Sequence, residues 1–137
     1  MKKLVLLIVI LPLLSFISVS DQDQFIGKWL GDDGRDLGFV QFDKEGYATL
    51  GLGDQIMGGK EFTLSGEKGS MTYKIDASKQ PIEIDLIVTK LESGEQKRLF
   101  CIAQFINDNE MQFAMDFNNQ RPLEFTEENS IVLKREQ

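Results

Sequence analysis

Residues 82–117 read IEIDLIVTKLESGEQKRLFCIAQFINDNEMQFAMDF, and this stretch decides the fold. Apolar and polar residues alternate along it with a period of two, the signature of strands that bury one face. Two short segments break the alternation, Glu-Ser-Gly-Glu at 92–95 and Asn-Asp-Asn-Glu at 107–110, both rich in residues that accept tight-turn dihedrals. A four-residue loop at the first places Val88, Leu86, Ile84 and Ile82 opposite Leu99, Cys101, Ala103 and Phe105, all apolar. A slip of one residue would turn Glu83 and Asp85 onto that face, so the buried side is well specified. A five-residue loop over 106–110 then sets Phe105, Ala103 and Cys101 opposite Met111, Phe113 and Met115, and the same face continues.

The pattern extends outward from there. Met71, Tyr73 and Ile75 alternate with Thr72, Lys74 and Asp76, adding another strand with the same kind of face. Candidate strands cover 25–30, 37–43, 47–52, 61–65, 70–77, 82–91, 97–106, 111–117 and 131–135, with turn residues between them and no run of helical period. With no helix to cover it, a meander of about eight antiparallel strands must close on itself or split into two layers. Sequential hairpins favour an all-β, up-and-down, eight-stranded barrel. The glycines at 51, 53, 58 and 59 read as a flexible hairpin, since neither a helix nor a Lys-Ser pair follows to make a phosphate loop.

The first twenty residues have a different character. Lys2 and Lys3 precede an apolar run over 4–17, and Ser18-Val19-Ser20 supplies the small residues of a cleavage site. The run contains Pro12 and is shorter than the ~18–20 residues of a spanning helix, which favours a cleaved signal over an anchor. Position 21 is Asp and not the Cys of a lipid anchor. The expectation is a signal peptide at 1–20 and one barrel domain at 21–137, exported to the periplasm or beyond and soluble once cleaved. Losing two of the 15 basic residues against 22 acidic ones moves the formal charge from −7 to −9, which disfavours nucleic acid and anionic lipid as partners.

Composition removes most chemistry. The 137 residues include no histidine and one cysteine, so imidazole catalysis, His-ligated metal and disulfides are excluded. No nucleophile has a base, and neither catalytic residues nor a cofactor are expected. Asp32, Asp33 and Asp36 make an acidic turn whose spacing fails the calcium-loop pattern. What remains is surface and interior. Tyr73, Ile84, Leu86, Cys101, Phe105, Phe113 and Met115 would line a barrel able to take a small hydrophobic ligand, or would fill it as a solid core. On the other face of the same hairpin, Ile87 opposite Phe100 with Ile102 nearby forms an apolar patch, either a partner surface or a patch covered by a loop or the N-terminal segment.

Two further motifs carry a resemblance. Phe25-Ile26-Gly27-Lys28-Trp29 at the head of the meander resembles the GxW signature of the calycins, the superfamily of lipocalins and fatty-acid-binding proteins. Arg121-Pro122-Leu123-Glu124-Phe125, followed by Val132-Leu133-Lys134-Arg135, is similar to the ending of lipocalin-like domains of uncharacterised exported bacterial proteins. The stretch YKID…PIEIDL between Tyr73 and Leu86 belongs to the same likeness. The resemblance implies that Gly27 and Trp29 sit at a closed barrel end with an arginine on the Trp ring, Arg135 first and Arg121 as substitute. It implies structural roles for Arg121, Pro122 and Phe125 as well. The chain departs from both full branches. Seven residues between Trp29 and the second strand leave no room for a helical lid, and the helix before the last strand of full lipocalins is absent. The reading is a monomeric exported lipocalin-like protein that binds a small hydrophobic molecule. The alternative is an interaction module or inhibitor acting through its outer surface.

Overall fold

The computed structural model describes residues 21–31 and 36–137. The segment read as a signal, residues 1–20, and the acidic turn at Asp32 and Asp33 lie outside the described residues. A short 3-10 helix (Asp21–Phe25) leads into ten strands: β1 (Gly27–Gly31), β2 (Leu37–Phe42), β3 (Ala48–Leu52), β4 (Gln55–Gly58) and β5 (Phe62–Leu64), then β6 (Glu67–Asp76), β7 (Ile82–Lys90), β8 (Gln96–Asn107), β9 (Glu110–Asp116) and β10 (Ser130–Arg135). All pair antiparallel in the order β4-β3-β2-β1-β10-β9-β8-β7-β6-β5. Every neighbour is consecutive in the chain except β1 and β10, whose pairing bends the meander into a nearly closed barrel.

The barrel therefore has ten strands and not eight. The strand that alternation missed is β4, inside the glycine-rich stretch read as a flexible hairpin. Gly53 adopts φ +58° in the turn before it, and at Gly58 (φ +131°) a Cβ would come within 2.3 Å of the Ala48 carbonyl oxygen. Glycine permits a close backbone crossing there that no side chain would allow. The seam lies between β4 and β5. It is stitched at one end by a bridge between Tyr47 and Thr72, and by amide hydrogen bonds from Met71 to the Gly59 carbonyl (3.0 Å) and from Tyr73 to the Gly46 carbonyl (3.2 Å).

Register follows the expectation between β8 and β9: Phe105, Ala103 and Cys101 face Met111, Phe113 and Met115. Between β7 and β8 it differs by two residues. Ile84 faces Cys101 and Leu86 faces Leu99, because the loop occupies 91–94 and not 92–95. Gly94 (φ +80°) takes the last loop position, donating its N–H to the Lys90 carbonyl at 2.8 Å. A shift of two preserves parity, so the expected inner residues still point inward. It does move Ile87, which faces Arg98, while Phe100 faces Asp85.

One cluster of buried side chains fills the interior, with Trp29, Leu50, Met71, Ile84, Leu86, Cys101, Phe113 and Leu133 completely shielded from solvent. Each fully buried large apolar side chain contributes about 1.5–3 kcal/mol, so this cluster outweighs any surface contact in holding the barrel together.

Candidate functional site

The two ends of the barrel are built differently. At the end that holds the start of β1, the 3-10 helix drives Phe25 beneath the strands, where its ring lies 5.8 Å from Phe42 and 4.8 Å from Phe105. Trp29 Nε1 donates to the Phe25 carbonyl at 2.9 Å. The Arg135 guanidinium covers the Trp29 ring at 4.2 Å and donates to the carbonyls of Ile26 (2.8 Å), Gln24 (2.8 Å) and Asp108 (3.2 Å). Gly27 makes this possible, since a Cβ on it would lie 3.1 Å from Arg135 Nη1. These contacts seal this end, with Gly27, Trp29 and Arg135 brought together across β1 and β10.

Tyr73 belongs to the same plug. Its hydroxyl donates to the Asp43 carbonyl at 2.8 Å and accepts from Gln22 Nε2 at 3.3 Å, so it ties the β2–β3 turn to the 3-10 helix. Burial pushes its phenol above the ordinary tyrosine value. Tyr73, read from the sequence as lining a ligand space, thus has its hydroxyl engaged by the Asp43 carbonyl and Gln22.

Arg121 works elsewhere, not as a substitute on Trp29. It lies on the outer face of β7 and β8, its Nη1 donating to the carbonyls of Ile84 (3.2 Å) and Cys101 (3.0 Å) and its Nη2 to Asp85. Its Nε lies 3.6 Å from a Glu83 oxygen, and its guanidinium stacks on Phe100 at 4.9 Å. The segment 117–129 is thereby fastened over the patch read as a partner surface. Ile87 and Ile102 are buried, and Phe100 is half-buried under the guanidinium. Pro122 and Phe125 are half-buried in that segment.

Among the described residues, the main cavities lie at the ends and the seam, and Ile84, Leu86 and Cys101 line none of them. Those three are packed core; burial holds the Cys101 thiol far above its ordinary value. Phe105 is committed to the aromatic plug and borders only an outer hollow at the sealed end. Of the seven inner residues read from the sequence, only Phe113 and Met115 reach a cleft at the opposite, open end.

That cleft has a volume of about 230 Å³. Leu37 and Leu52 form one wall, and Phe113, Met115, Phe117 and Ile131 form the other. Gly31 leaves room for it, because a Cβ there would meet Ile131 Cδ1 at 2.7 Å. Asp36, Glu128, Asn129 and Ser130 make the polar rim. Asn129 is held by a compact turn: Thr126 N donates to its Oδ1 (2.8 Å), and its Nδ2 donates to the Glu124 carbonyl (3.0 Å). Leu37, Leu52, Phe117 and Ile131 lie in strands that alternation identifies, yet they meet only because β1 pairs with β10. No local pattern signals that pairing.

Among the described residues no group of His, Cys, Asp or Glu is arranged to hold a metal ion, and no helix is long and apolar enough to cross a membrane. Compared with family models, curated proteins and solved structures, the chain has no significant match.

Proposed function

We propose that this chain is an exported, lipocalin-like binding protein that holds a small hydrophobic molecule in the cleft at the open end of the barrel. The observation that carries the reading is the cleft itself: six apolar side chains from β2, β3, β9, β10 and the β9–β10 connection converge on one hollow at the barrel end, while Ile84, Leu86 and Cys101 deeper in the barrel are completely buried. Its 230 Å³ lies between the ~150 Å³ that accommodates a benzene and the ~300 Å³ at which drug-sized sites begin. The ligand is therefore compact: a ring or a short alkyl chain. The basic start and apolar run of residues 1–17 support export, and Gly27, Trp29 and Arg135 at the sealed end support the lipocalin-like reading.

Native mass spectrometry of the protein from its natural source, before and after organic extraction, tests the binding. A releasable small mass is expected, and it should be lost in Leu52→Trp, whose indole fills the cleft, with the far-ultraviolet spectrum unchanged. A mass retained by Leu52→Trp, or none in a protein isolated without detergent or solvent, overturns the reading.

A further inference from the structure

The cleft at the open end has a neighbour. A second hollow of about 510 Å³ opens on the outer side of the barrel and shares Met115, Phe117, Glu128 and Asn129 with the first. Phe117 is 53% exposed, a large apolar ring left at the boundary between an apolar hollow and one of mixed lining. Among the described residues, the charges around that boundary have one sign. Asp36 and Glu128 border the inner cleft, Asp116 and Glu128 the outer, and no Lys or Arg lines either among the described residues. Arg121, the nearest basic residue along the segment, is already engaged by Glu83, Asp85, two carbonyls and the Phe100 ring. A head group resting here meets carboxylates whose charge no described side chain at the rim offsets.

Building on the cleft-binding reading above, we propose that the ligand is a cationic amphiphile. Its apolar part enters between Leu52 and Phe113, and its ammonium or guanidinium head lies past Phe117 against Glu128, with Asp36 and Asp116 on either side. An anionic head would be repelled from the same place, and a neutral one would gain nothing from the carboxylates.

Isothermal titration of the 21–137 protein with octylammonium, 1-octanol and octanoate separates this claim from the one it rests on. The three probes share a tail and differ in head charge. Octylammonium is expected to bind roughly three- to tenfold tighter than octanol, the range that two partly exposed ion pairs supply, with octanoate weakest. The advantage should vanish in about 1 M salt, where the Debye length is about 3 Å, and in the Asp36→Asn, Glu128→Gln double variant, with octanol affinity unchanged in both. Across hexyl to octyl ammonium, each methylene that enters the cleft should tighten binding roughly fourfold. Equal binding of octylammonium and octanol, or an advantage that survives the double variant, overturns the cationic assignment and leaves the cleft reading standing. Failure of all three probes to bind at millimolar concentration overturns both.

Discussion

The Arg135 guanidinium lies 4.2 Å above the Trp29 ring, and the two residues are direct partners across β1 and β10. The first and last strands of the barrel are joined at this point by a cation–π contact, worth about 0.5–2 kcal/mol, and by three carbonyl hydrogen bonds from the same side chain. Arg135→Ala is expected to cost about 2–4 kcal/mol, seen as a lower urea midpoint at unchanged slope. Arg135→Lys should recover only part of this, because an ammonium cannot stack and reach three carbonyls together.

Gly27 is coupled to that contact. Its φ of +131° is nearly restricted to glycine, and an added Cβ would press on Arg135 at 3.1 Å. Gly27→Ala should cost about 1–3 kcal/mol. The pair Gly27→Ala with Arg135→Ala should fall short of additivity by about 0.5 kcal/mol or more, since part of the first penalty is the clash that the second removes. A double-mutant cycle by chemical denaturation measures the term.

Arg121 fastens the segment that supplies Phe117, Glu128 and Asn129 to the open-end cleft. Arg121→Ala removes the bonds to two carbonyls and to Asp85, while Asp85 keeps Arg98 at 2.8 Å. Global stability should fall by about 1–3 kcal/mol. Amide exchange should accelerate most within 117–129, and ligand affinity should drop with it. Uniform acceleration across all strands would show that the clamp acts on the whole barrel.

Cys101 is completely buried, and desolvation holds its thiol far above the ordinary value. The native thiol should resist an aromatic disulfide reagent and react only at the rate of unfolding. A raised folded pKa means that the unfolded chain releases its proton first. Stability from this group is complete below the unfolded value near pH 8.5 and falls above it by about 1.4 kcal/mol per pH unit. The stability of the wild type relative to Cys101→Ala should therefore decline between about pH 8.5 and 10.5. Tyr73, also raised by burial, titrates in both proteins and cancels in the difference.

Alternation along 82–117 was enough to place every inner side chain of β7, β8 and β9 on the correct face, because a side-chain period of two is a local property. It did not separate two β7–β8 registers that differ by two residues, since both bury the same set; the left-handed conformation of Gly94 decided between them. Strand β4 was hidden by its glycines, which mark a close crossing of β3 and not a loop. Trp29 and Arg135, the residues singled out by the GxW and terminal motifs, stack on one another at the sealed end. The cleft was not legible from local pattern: Leu37 and Leu52 meet Phe113 and Ile131 only after β1 pairs with β10, far apart in sequence. Alternation puts Tyr73 on the inner face among the lining residues, but it does not say what its hydroxyl meets. It meets the Asp43 carbonyl.

The most direct test of binding at the open end uses the methionines as reporters. Met115 lines the cleft, whereas Met71 and Met111 are completely buried in the core. With carbon-13 methyl labels and octylammonium or 1-octanol as titrant, the Met115 signal should shift in a saturable way while those of Met71 and Met111 stay in place. Movement of Met71 or Met111 with Met115 unmoved would put the ligand inside the barrel, and no saturable shift at any of the three would mean that the cleft is not a binding site.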